Sequence, residues 1–138
     1  MAYLLDTNVV SELRKANPDH RVAAWAEEIG RRDAFISVVT IREIEAGVLA
    51  VERRDAPQGA PLRGWLEGTV LTRYADRLLP VDLAVARRAA TLHVPDPRPE
   101  RDMLIAATAL EHGLIVATRN VSDFEPTGAK IVNPWLPA

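Results

Sequence analysis

Apolar residues along this chain come in two rhythms, short unbroken runs and three-to-four-residue spacings, and the two alternate. Tyr3-Leu4-Leu5 is a run of the first kind and reads as a short, fully buried strand. Residues 7–14 then read as a helix that stops near Asn17-Pro18, and residues 21–29 as a second helix ending at Gly30. Val22, Trp25, Ala26 and Ile29 share one face of it. Residues 34–39 are rich in β-favouring side chains and form a second strand. A helix over 41–51 follows, with Ile41, Ile44, Val48 and Val51 apolar.

Residues 53–61, with Pro57, Gly59 and Pro61, read as a loop, and helical spacing resumes over 62–74. Residues 78–81 give a third strand, whose Pro80 suggests an edge position. Asp82 suits the N-cap of a helix over 83–92, and residues 94–99 form a proline-fixed loop. The next helix starts at residues 99–102 and stops at Gly113, and runs at 114–118 and 131–132 close the sheet. This order predicts one α/β domain over 1–138, a three-layer α/β/α arrangement with a mainly parallel central sheet.

Composition narrows the chemistry more than the fold. At 138 residues, 48 % hydrophobic and 26 % charged, the chain can bury a continuous core. It has no cysteine, which excludes disulfides, thiolate metal sites and cysteine nucleophiles. His20, His93 and His112 lack ligand spacing and read as surface or helix-end residues. The net charge of −2 neither announces nor forbids nucleic acid, because acids gathered in one place mask local positive charge in the sum. No apolar stretch approaches the ~20 residues of a membrane span, and the N-terminus lacks a basic region. A cytoplasmic location is expected.

Four carboxylates stand where apolar runs give way to turns or helix starts: Asp6, Glu43, Asp102 and Asp123. Each has a purely structural explanation. Asp6 can cap the helix after it. Thr40-Ile41-Arg42-Glu43 matches a capping box. Asp102 lies in a helical first turn, where the macrodipole favours anions by ~0.3–1 kcal/mol. Asp123 can make an Asx-turn.

Jointly these explanations weaken, because the carboxyl ends of parallel strands all face one edge, where α/β sheets bind ligands. Ser or Asn would cap as well without bringing negative charges together. A Mg²⁺ or Mn²⁺ ion reverses that repulsion, since hard cations take oxygen ligands. Such a site suits phosphodiester hydrolysis. Asp6 and Asp102 are expected as direct ligands, Glu43 as ligand to a second ion or orienter of water. Asp123 is expected to act through water or by holding a neighbour. Thr7, Asn8, Ser11, Thr118, Arg119 and Asn120 are candidate phosphate contacts or supports, with backbone donors from helix starts at Thr7 and Thr40. Arg14, Lys15, Arg31, Arg32 and Arg119 could guide a nucleic-acid backbone, although Arg31-Arg32 also reads as a solvated turn.

Leu4-Leu5-Asp6-Thr7-Asn8-Val9-Val10-Ser11-Glu12-Leu13, Ile36-Ser37-Val38-Val39-Thr40-Ile41-Arg42-Glu43-Ile44 and Asp102-Met103-Leu104-Ile105-Ala106-Ala107-Thr108-Ala109 resemble segments of PIN-domain toxins. Thr118-Arg119-Asn120-Val121-Ser122-Asp123-Phe124 and Asn133-Pro134-Trp135 do so as well. The likeness is to the VapC/FitB-like toxins of bacterial type II toxin–antitoxin modules and spans nearly the whole chain. It implies a homodimeric, Mg²⁺- or Mn²⁺-dependent endoribonuclease inhibited by a cognate antitoxin, with operator DNA bound only through the antitoxin. The family's acids fall on Asp6, Glu43, Asp102 and Asp123, its polar residue beside the first acid on Thr7, and its Asn before the fourth on Asn120. One departure is the charged lead-in Pro99-Glu100-Arg101, where relatives are often more apolar, so the approach to the site is expected to differ.

Two other classes compete. An aspartyl-phosphate phosphatase needs a second Asp two residues after its nucleophile, where Asn8 stands, and a receiver domain needs a lysine after a late strand, whereas Lys130 precedes Ile131-Val132. A catalytically weak PIN module acting mainly as the antitoxin's partner in a DNA-binding complex is the remaining alternative.

Overall fold

The computed structural model describes residues 1–137. Five parallel strands lie in the order β3-β2-β1-β4-β5: β1 is Tyr3–Leu5, β2 Ala34–Ser37, β3 Leu78–Leu79, β4 Ile115–Ala117 and β5 Ile131–Val132. β1 is central, with Tyr3 opposite Ala34 on one side and Leu5 opposite Ala117 on the other. β3 is an edge strand, as Pro80 suggested.

Strand side chains alternate between two cores, as a two-residue period demands. Leu5, Ile36 and Ala117 pack with α1 (Thr7–Arg14), α2 (His20–Ile29), α3 (Val38–Arg54) and the segment after α4 (Ala56–Trp65). Leu4 and Val116 pack on the opposite face with Ile105, Ala106 and Ala109 of α7 (Glu100–His112) and Phe124 of α8 (Val121–Phe124). α6 (Leu83–Leu92) closes the outside of α7 through Val85 and Ala89 against Ala107. The three layers are those the sequence pattern implies. α7 is therefore covered on two sides, and its small residues permit the close approach. Gly113 ends it in the left-handed conformation at φ 66°. Among the described residues no helix is long and apolar enough to cross a membrane.

The second strand stops at Ser37, and α3 begins at Val38 rather than at Ile41. Ser37 Oγ accepts from the Val39 amide at 3.0 Å and so supplies the N-cap. Thr40 thus lies inside the first turn and is fully buried; the Thr40–Glu43 capping box and the helix start at Thr40 do not form. Residues 53–61 are likewise not a loop. α3 runs to Arg54, Asp55 Oδ1 accepts from the Gln58 amide at 3.2 Å, and α4 starts at once. Pro57 sits in the first turn, where its missing N–H costs nothing, while Pro61 lies within the helix. A π-helical stretch, Leu66–Val70, carries the chain into the short α5 (Leu71–Arg73).

Two features join α3 to α4. Arg63 binds Glu45 at 2.6 Å and Glu52 at 2.8 Å. Gly59 meets the other helix so closely that a Cβ there would stand 2.6 Å from Glu52 Cγ and 2.8 Å from Glu52 Cα. Gly59→Ala is expected to cost about 1–3 kcal/mol by forcing the helices apart. Gly64→Ala, whose Cβ would meet nothing within 4 Å, should leave stability unchanged or raise it slightly. Urea unfolding of the two variants checks this, and equal midpoints would contradict it.

Candidate functional site

β1 delivers Asp6 to the carboxyl edge of the sheet, where its fully buried carboxylate is bonded on both oxygens. Oδ1 accepts from the Thr7 amide at 2.8 Å, the first turn of α1. Oδ2 accepts from Thr118 Oγ1 at 2.7 Å and from Asn8 Nδ2 at 3.5 Å. Thr118, also fully buried, follows β4 directly and accepts from the Asn120 amide at 3.0 Å. Asn8 Oδ1 accepts from the Arg119 amide at 3.3 Å. The capping explanation of Asp6 is thus correct but incomplete. A Ser or Asn would cap α1, yet neither would bring a full charge to a buried point where two strands meet.

Asp102 and Glu43 reach the same place from the two helix layers. Asp102 projects from the first turn of α7, and Glu43 from the second turn of α3 with its side chain largely open to solvent. What they meet is the guanidinium of Arg101. Its Nε and Nη2 donate to the two oxygens of Glu43, each at 3.0 Å, and its Nη1 donates to Asp102 Oδ1 at 2.8 Å. Nη2 also donates to Thr7 Oγ1 at 3.0 Å and to Asp6 Oδ1. Among the described residues no three acidic or histidine side chains stand together as a ready-made metal cage. An arginine stands between them instead.

The electrostatics follow from that arrangement. Burial works against the charge on Arg101, but Asp6 and Glu43 outweigh it and hold the guanidinium protonated above its ordinary range. Burial raises Asp102; the Arg101 partner opposes this, and the negative charges of Asp123 and Asp6 add to it. Asp123 lies in α8, its amide bonded to the Asn120 carbonyl at 3.1 Å. It acts on Asp102 through its charge.

Three of the four expected acids are therefore brought to one cation, with the fourth close enough to perturb Asp102. Thr7, Asn8 and Thr118 are the supports of Asp6, and Asn120 bonds to Thr118 through its amide. Ser11 and Arg14 line a cavity of about 270 Å³ that opens beside Glu43, bounded also by Gly47 and Trp65. A larger cavity of about 450 Å³ lies at Tyr3, Trp25 and Pro134 and includes none of these acids, so the smaller one is the better match to the chemistry. The Arg14 guanidinium lies 5.6 Å from the Trp65 ring centre, and that of Arg119 lies 5.1 Å from Trp135. Arg31 and Arg32 precede β2 and stand at the opposite end of the sheet, with Arg31 bonded to the Arg73 carbonyl. Lys15 pairs with Glu12 at 2.9 Å.

Arg101 is the site residue that sequence reasoning did not assign. It was visible only as a charged lead-in. A cation in a helical first turn opposes the macrodipole, and that mismatch was the available signal that it had acids to meet.

The chain matches the family model described as PIN domain over residues 3–127. It is 41 % identical to "VapC ribonuclease Y4jK" of Sinorhizobium fredii, over 98 % of this chain and 99 % of that one. It is 36 % identical to "Toxin FitB" of Neisseria gonorrhoeae, covering 96 % and 97 %. The crystal structure of FitAcB from Neisseria gonorrhoeae superimposes with a TM-score of 0.87 at 34 % identity, covering 96 % of this chain and 98 % of that one. The structure of FitAB bound to a DNA fragment gives 0.88 at 32 %, covering 99 % of this chain and 97 % of that one.

Proposed function

The chain belongs to the PIN-domain family, among the relatives of VapC and FitB, and from that premise we propose that it is the toxin of a type II toxin–antitoxin pair. Its activity in this reading is Mg²⁺- or Mn²⁺-dependent endoribonuclease chemistry at Asp6, Glu43, Asp102 and Asp123. The observation that carries the reading is the convergence of Asp6, Glu43 and Asp102, from three separate elements, on a single positive group. The donor set fits a hard divalent ion. All its atoms are oxygens, two of the acids are drawn out of water, and neither sulphur nor imidazole is present.

Asp6 and Asp102 would hold the ion, which when bound supplies Lewis acidity to the scissile phosphate and lowers the pKa of water. Everything else falls to the chain. Thr118 and the Thr7 amide fix the rotamer of Asp6, so its charge does not wander. Glu43, the most exposed of the three, would take a second ion or accept a proton from attacking water. Asp123 adds negative charge beside Asp102. Ser11 and Arg14, lining the groove beside Glu43, offer a hydroxyl and a guanidinium to the phosphates of single-stranded RNA.

Two solved relatives bear on partners: FitAB is bound to a DNA fragment, and VapBC-5 from Mycobacterium tuberculosis is named a member of a family of toxin–antitoxin systems. They support a cognate antitoxin as partner of this chain; an RNA substrate, a homodimeric state and operator DNA reached only through the antitoxin belong to the same proposal. The test is RNA incubated with the purified chain, with and without Mg²⁺ or Mn²⁺, before and after stoichiometric antitoxin. Internal cutting that needs metal and stops with antitoxin is the expected result. Cutting that persists in EDTA, or none under any condition, would contradict it. The second reading, a PIN module of weak catalysis, draws support from one observation, the guanidinium lodged among the acids.

A further inference from the structure

Arg101 uses all three of its guanidinium nitrogens on the acids. Nε and Nη2 grip Glu43 in a fork, Nη1 takes Asp102, and Nη2 also reaches Thr7 and Asp6. Three chain segments that approach from different layers, β1 with α1, α3 and α7, are thus joined at one planar cation. The Arg101 guanidinium is the positive charge that meets all three carboxylates. Any divalent ion held by Asp6 and Asp102 would stand against the two carboxylates whose Oδ1 atoms Arg101 takes, and two cations so close would repel. The side chain also has somewhere to go: it is only partly buried, and it sits at a helix start whose dipole repels it.

We propose that Arg101 is an internal counter-cation that occupies the metal position and must leave before metal binds, so that this residue sets the metal affinity of the site. The inference rests on the reading of Asp6 and Asp102 as metal ligands. Its consequence is a trade. With Arg101 in place the metal-free fold is held together at its acidic edge, and apparent metal affinity is reduced by the fraction of molecules in which the guanidinium is lodged. Without Arg101 the acids repel one another in the metal-free chain, and the ion gains what the guanidinium had held.

The experiment is calorimetric titration of the full chain with Mn²⁺, with thermal melts at zero and saturating Mn²⁺. It compares wild type, Arg101→Met, Arg101→Lys and Asp102→Asn. Arg101→Met keeps the bulk of the side chain without its charge. It should bind Mn²⁺ about ten-fold or more tightly than wild type. Its metal-free melting point should fall by about 5 °C, and metal should raise it by more than it raises wild type. Arg101→Lys, with one ammonium in place of the fork, should fall between the two and serves as the reporter if the methionine variant does not fold. Asp102→Asn should bind weakly or not at all, which locates the binding. Equal Mn²⁺ affinity and equal metal-induced shifts in wild type and the Arg101 variants would overturn the proposal while leaving the metal site standing. No Mn²⁺ binding by any variant would overturn the metal reading and this inference with it.

Discussion

Asp6→Asn is expected to abolish metal-dependent RNA cleavage while leaving the chain folded. The substitution keeps shape and one carbonyl oxygen, so the Thr7 amide and Thr118 hydroxyl can still be accommodated at the start of α1. What it removes is a full negative charge at a fully buried point of the sheet edge. A neutral amide offers a divalent ion one oxygen and no charge, and its NH₂ faces either Thr118 or Arg101. Mutation of residues that merely orient a ligand typically costs ~10–100-fold in metal affinity or activity. Loss of a direct ligand should exceed that, leaving activity below about 1 % of wild type. Stability should change by no more than about 1–2 kcal/mol, because a lost pairing with Arg101 is offset by relief of repulsion with Asp102. Cleavage assays beside a thermal melt check both halves. Retention of more than a tenth of the activity would remove Asp6 from the role assigned to it.

Arg77→Ala is expected to produce a loss of stability as large as truncation of a core side chain, although it lies outside the site. Arg77 is buried at the start of the third strand, and its guanidinium donates to the backbone carbonyls of Arg31, Ala34 and Arg73. Its own carbonyl accepts from the Ile36 amide at 3.2 Å. The side chain therefore ties the turn before β2 and the end of α5 to the β2–β3 edge. It also lies 5.2 Å from the Tyr74 ring centre. Truncation strips a charged donor from three carbonyls at once and opens a void, which together should cost roughly 3–5 kcal/mol. In a chain of this size that is a fall of about 10 °C or more in melting temperature. Lysine, with one ammonium, cannot reach all three acceptors and should recover less than half of the loss. A drop below about 1 kcal/mol would show that water replaces the guanidinium without penalty.

Much of this molecule was legible from its side-chain pattern. The three-residue runs at Tyr3–Leu5 and Ile115–Ala117 are apolar on both faces because each face meets a helix layer. Gly113 and Asp82 ended and began their helices as their conformational preferences require. The boundary at Ser37 was misplaced because Val38 and Val39 favour strands by propensity, and a serine cap overrode that preference. The segment over 53–61 was misread because Pro57, Gly59 and Pro61 count as breakers only outside a first turn and away from a tight crossing. α8, four residues long, lacked the length to show a period. At the site, the acids could be found because they share one edge. Arg101 could not be assigned from spacing alone, because its role depends on Asp6 and Glu43, which are 95 and 58 residues away in the chain.

The claim that these acids act through a divalent ion on RNA meets its most direct test in one assay. The purified chain is stripped of metal and mixed with RNA, Mg²⁺ is titrated in, and wild type is run beside Asp102→Asn at equal concentration. Silence before metal, internal cleavage that rises with Mg²⁺ in wild type, and none in the variant are the expected results. Cleavage that needs no metal, or that proceeds equally in Asp102→Asn, would contradict it.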